Sequence, residues 1–64
     1  PNADKQIAKL EREIARYEGK IKELEAVAEE NATDYQKLME IEEEKAQLDE
    51  KLMELYEKWE ELNQ

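Results

Sequence analysis

The chain has no cysteine, no histidine and no phenylalanine, and only one glycine and one proline in 64 residues. Without cysteine there is no disulfide to staple a small core, and nothing in the sequence marks a redox compartment. Without histidine or cysteine, the usual zinc, haem and iron–sulfur sites are excluded. No apolar run approaches the roughly 20 residues needed to cross a bilayer, and no signal-peptide pattern opens the chain, so no membrane partner is expected. Gly-rich phosphate loops, nucleophile motifs and metal-ligand spacings are lacking too. The many carboxylates do not replace them, because paired acids need a pocket that desolvates them and separates their pKa values. A chain this short builds one thin core at most. The sequence therefore reads as no enzyme, with no catalytic, metal or cofactor-binding residue of its own.

What it does have is charge and helix formers. Nineteen acidic side chains face ten basic ones, for a net charge of −9 and a charged fraction of 45%. With Glu, Lys, Leu and Ala dominant and breakers almost absent, the composition points to long helices rather than disorder. Apolar spacing gives the architecture. Ile7, Leu10, Ile14, Tyr17, Ile21, Leu24 and Ala28 follow at steps of three and four. Leu38, Ile41, Leu48, Leu52, Leu55, Trp59 and Leu62 climb the same ladder, with Lys45 on the one polar rung. Such spacing places a narrow stripe on one helix face, the seam of a coiled coil.

One interruption separates the ladders, at Glu29-Glu30-Asn31-Ala32-Thr33-Asp34. Asn31 is the residue best suited to a left-handed helix end here, since no glycine is near. Thr33-Asp34-Tyr35-Gln36 matches a capping box, with Thr33 as the cap and Gln36 reaching back to it. The expected fold class is therefore all-α: a single two-helix antiparallel coiled-coil hairpin over residues 1–64. Its first helix spans about 4–30, its hinge about 31–33 and its second helix about 34–62. Antiparallel pairing sets Ile7 against Leu62, Leu10 against Trp59, Ile14 against Leu55, Tyr17 against Leu52 and Ile21 against Leu48. A shift of one heptad sets Ile7 near Leu55 instead, and the pattern permits both.

Charge divides unevenly between the halves. Residues 1–32 carry eight acidic and six basic side chains, and residues 33–64 carry eleven and four. Lys5, Lys9, Arg12 and Arg16 recur at helical spacing away from the seam, with Lys20 close to the same line. Cations so spaced can track a nucleic-acid backbone. The competing account is a solvated face supported by local pairs such as Glu13 with Arg16 and Glu18 with Lys22. The negative net charge also opposes polyanion binding at long range. Lys45 is expected to lay its stem along the seam and reach Glu42 or Asp49, fixing register or partner choice. Tyr35, Met39, Ala46, Met53 and Tyr56 share a second flank of the later helix, a candidate docking surface for protein.

The form Ile7-x-x-Leu10-Glu11-x-x-Ile14, the Asn31/Thr33/Asp34-Tyr35 hinge, and the ending Leu55-Tyr56-Glu57-x-Trp59-Glu60-x-Leu62 together resemble a known family. They look like the C-terminal coiled-coil domain of the ABC-F ATPases, the Uup-like group, over residues 7–62. The resemblance implies a parent protein with two ATP-binding cassettes in tandem and no membrane domain, acting in the cytoplasm on ribosomes in translation or antibiotic resistance. ATP and magnesium would then belong to the parent's cassettes, with none held here. It also implies that the hairpin is an appendage contacting RNA, the ribosome or DNA. On this chain that contact maps to Lys5, Lys9, Arg12, Arg16 and Lys20. The alternative is a hairpin that dimerises or docks on its parent through Tyr35, Met39, Met53 and Tyr56, without binding nucleic acid.

Overall fold

The computed structural model describes residues 2–64; Pro1, with which the expected domain begins, lies outside the described residues. Two helices, α1 (Asn2–Glu30) and α2 (Tyr35–Leu62), fold back on each other into a rod with extents of 50 × 15 × 11 Å. The fold is thus the all-α antiparallel hairpin that the two ladders call for. Leu10, Ile14, Leu52 and Leu55 form its buried cluster, with Tyr17, Ile21, Trp59 and Leu62 packed against it. Ile41 is buried outside that cluster, toward the turn. Contacts across the seam fix the pairing that the sequence left open. Glu11 reaches Trp59, Glu25 reaches Lys45, and Leu10 lines one groove with Leu62, so Ile7 falls at the Leu62 end of α2 and the one-heptad shift is excluded.

The turn differs from expectation in both of its caps. Among the described residues none has a positive φ, so Asn31 does not end α1 in a left-handed conformation. The helix instead closes by a tight turn in which the Asn31 N–H donates to the Ala28 carbonyl at 3.1 Å. The Asn31 side chain turns back and donates to the Val27 carbonyl at 2.8 Å, satisfying an acceptor that the helix end would leave open. With the side chain supplying that bond, the strained backbone is unnecessary.

The second cap is Asp34 rather than Thr33. Its backbone is extended, and its carboxylate accepts from the Lys37 N–H at 3.1 Å. A carboxylate at this position adds its charge to the positive end of the helix dipole, which a threonine hydroxyl cannot. Moving the cap by one residue makes Lys37 the third helical position, where no acceptor can return the bond, so no capping box forms. At the far end, Asn63 closes α2 by donating from its backbone to the Trp59 and Glu60 carbonyls and from its side chain to Trp59.

Candidate functional site

The hairpin has two broad sides, one on either edge of the seam, and they are built differently. On the first, three glutamates of α1 recur every seven residues: Glu11, Glu18 and Glu25. Each accepts from a donor on α2. The Trp59 indole N–H donates to Glu11 at 3.1 Å, and the Tyr56 hydroxyl donates to Glu18. The Lys45 ammonium pairs with Glu25 at 3.6 Å. A seven-residue repeat lines one edge of a coiled-coil seam, so three successive rungs reach across to the partner helix. Sequence reasoning did not pick out this ladder. Its signal was present in the spacing of the glutamates, but the choice of donors depends on the register.

Lys45 is only 22% exposed, and besides Glu25 it reaches Glu42, 3.8 Å away on its own helix. Glu42 was one of its two expected neighbours. The other, Asp49, forms no ion pair among the described residues; the lysine leans across to α1 instead of along α2. The hydrogen bond to Glu18 raises the Tyr56 pKa above its ordinary value of 10.0, because the phenolic proton is what the carboxylate holds. Partial desolvation and the negative charge of Glu18 act in the same direction.

The opposite side carries cations. Lys9, Leu10 and Glu13 of α1 share a shallow groove with Lys58, Glu61 and Leu62 of α2. Helical periodicity of about 3.6 residues per turn places Lys51 one heptad from Lys58 on the same edge. Arg16 and Lys20 lean over the Tyr17 ring, 5.2 and 5.5 Å from its centroid. Each of these contacts holds a cation near an aromatic face without cancelling its charge. Lys5 and Arg12 continue the line over the back of α1, and all five sequence-chosen cations are exposed. Lys51 and Lys58 were not among the candidates, because the sequence reading followed cations along the first helix alone.

The local pairs that would have neutralised this stripe do not form. Among the described residues the ion pairs both belong to Lys45, and neither Glu13 with Arg16 nor Glu18 with Lys22 is one. Glu18 is engaged by Tyr56 and Arg16 lies on Tyr17. Gly19, at the rim of a shallow recess lined by Ala15, Glu18, Ile21, Lys22 and Glu25, has open space where a side chain would stand.

The flank of α2 is exposed, at 74% for Tyr35, 56% for Met39, 65% for Met53 and 41% for Tyr56. It is not one continuous patch. Tyr35 and Met39 lie beside Leu38 and Glu42 in a shallow recess near the turn. Met53 stands about 21 Å further along the helix axis from Met39, and Tyr56 turns away from it to reach Glu18.

Among the described residues no group of His, Cys, Asp or Glu is placed to hold a metal ion, and no helix is long and apolar enough to cross a membrane. The family model described as "ABC transporter C-terminal domain" matches residues 2–64. No curated protein and no solved structure matches the chain.

Proposed function

The chain belongs to the ABC transporter C-terminal domain family, and on that premise we propose that it is the coiled-coil appendage of a cytoplasmic ABC-F protein of the Uup-like group, contacting nucleic acid in support of translation. ATP and magnesium chemistry belongs to the cassettes of the parent protein. The hairpin contributes a contact surface: Lys9, Arg16 and Lys20 with Lys51 and Lys58 along one side, extended by Lys5 and Arg12 over the back of α1. The observation that carries this reading is that, among the described residues, the stripe forms no ion pair in a chain of net charge −9. Nineteen carboxylates are available, yet Glu11, Glu18 and Glu25 serve the opposite side, and Glu13, in the groove with Lys9 and Lys58, forms no ion pair among the described residues. Phosphate groups are the ligand that such a line of free cations suits, and ribosomal RNA offers them densely. Because few base-reading side chains accompany the cations, the contact is to the backbone and not to sequence.

The test is fluorescence anisotropy of labelled structured RNA and duplex DNA, titrated with the chain at about 50 and about 200 mM salt. The reading expects binding that weakens steeply with salt and falls more than tenfold in the charge-reversed Lys9→Glu/Arg12→Glu/Arg16→Glu variant. Absence of binding at the lower salt sinks it. The exposed Tyr35, Met39 and Met53 favour a second role beside the first, that of a protein-docking flank.

A further inference from the structure

The outer face of α2 repeats the spacing of a coiled-coil seam a second time. Tyr35, Met39, Glu42, Ala46, Asp49, Met53, Tyr56 and Glu60 follow at alternating steps of four and three beside the seam; Tyr56 reaches across to Glu18 of α1, and the others are exposed. Tyr35, Met39, Ala46 and Met53 are exposed, as are the acids interleaved with them. From Met39 to Met53 the rungs alternate strictly between apolar (Met39, Ala46, Met53) and acidic (Glu42, Asp49). Helical periodicity places Glu43, Glu50 and Glu57 along the outer margin of the same line. The three other lysines of α2, Lys37, Lys51 and Lys58, recur at multiples of seven on the opposite edge of the helix, and Lys45, on the seam, lies between Glu25 and Glu42. The face is an apolar line with acid on both margins, and of these acids Glu42 already has the Lys45 ammonium beside it.

We propose that this face docks a basic amphipathic helix of a partner protein, which lays apolar residues against Met39, Ala46 and Met53 and sets Lys or Arg against Asp49 and Glu50. The charge pattern selects this occupant. Nucleic acid and anionic lipid surfaces are repelled by the acidic margins. A second copy pairing through the same face would set acid against acid. A second copy offering the Lys5/Lys9/Arg12/Arg16 line of α1 would bring cations but no large apolar rung to cover the methionines. A helix with apolar residues on one rung and cations on the next satisfies both features, the mode in which amphipathic helices engage partner helices. Methionine suits such a surface because its unbranched, polarisable side chain adapts to several shapes. The recess formed by Tyr35, Leu38 and Met39 gives the partner helix an end anchor beside the turn.

The experiment uses a labelled synthetic helical peptide of about three heptads with Leu and Lys alternating on its seam rungs. Controls are a scrambled peptide of identical composition and one with Glu in place of Lys. Each is titrated against the 64-residue chain, against Met39→Gln/Met53→Gln, and against Asp49→Asn/Glu50→Gln. These substitutions keep the helix formers and leave the seam intact, and circular dichroism of each variant verifies the fold. The patterned peptide is expected to bind, to lose about tenfold in affinity on the methionine variant, and to weaken on the acid variant. The scrambled and acidic peptides are expected to bind at least tenfold more weakly. Equal binding of the patterned and scrambled peptides, or an undiminished affinity on a folded methionine variant, overturns the proposal. So does a dimer of the free chain in sedimentation velocity that the methionine substitutions dissolve, since a second copy would then own the face. The outcome is separate from RNA binding, which uses the opposite side.

Discussion

The two sides of this hairpin are made from the same few residue types and do opposite things with them. On one, Glu11, Glu18 and Glu25 are each drawn to a donor on the other helix, and polar contacts bridge the seam. On the other, cations line the edge and form no ion pair among the described residues, and the seam is crossed by no such bridge beside its shallow groove. Net charge therefore describes this chain poorly. A value of −9 averages over a side whose acids are partly occupied, an outer face of α2 that sets acids around an apolar line, and a stripe whose cations remain available. At about 8–10 Å of screening length in physiological salt, a ligand meets the local side and not the average.

The most severe way to break the comparison is to remove what both sides share. Leu55 is only 3% exposed and belongs to the central cluster. Leu55→Ala is expected to cost about 2–5 kcal/mol, enough to unfold a two-helix core, and thermal melts by circular dichroism would show the loss of helix. A smaller and more selective effect is expected at Lys51 and Lys58. Reversing both to Glu should weaken RNA binding about three- to tenfold in anisotropy while leaving the melt nearly unchanged. An unaltered affinity would confine the contact to α1.

The smallest expected effect belongs to Tyr56. Its folded pKa lies above the value of 10.0 it has when unfolded, so the stabilisation it gives is complete below about pH 10. That contribution disappears as pH rises through the folded pKa, where the phenolate can no longer donate to Glu18. Urea melts of the chain and of Tyr56→Phe should therefore differ below about pH 10 and converge above the folded pKa. A constant difference across that range would mean that the hydrogen bond contributes nothing in solution.

How much of this could be seen in the sequence follows from range. The hairpin is legible because the 3/4 spacing of Ile7 to Ala28 and of Leu38 to Leu62 is a repeated, redundant signal. The caps at the turn were misplaced by one residue because Thr33 and Asp34 are both good caps and only their backbone geometry separates them. Asn31 was misjudged for a related reason, since its side chain could end the helix in two ways. The stripe from Lys5 to Lys20 lies on one helix and was readable from it. The donors that Glu11, Glu18 and Glu25 meet were not, because they are set by register, and two registers one heptad apart fit the apolar pattern equally; Lys51 and Lys58 lie on the other helix, outside that stripe. Lys45 shows the same limit. Its inward placement was foreseeable, but its partner Glu25 lies across the seam.

The most direct test of the two-sided account is a residue-resolved NMR titration of the chain with structured RNA at low salt. Signals of Lys9, Arg16, Lys20, Lys51 and Lys58 should shift together, while the Trp59 indole N–H and the amides of Glu11 and Tyr56 stay in place. Shifts centred on Trp59, Glu11 and Tyr56, with the cation side unmoved, would contradict it.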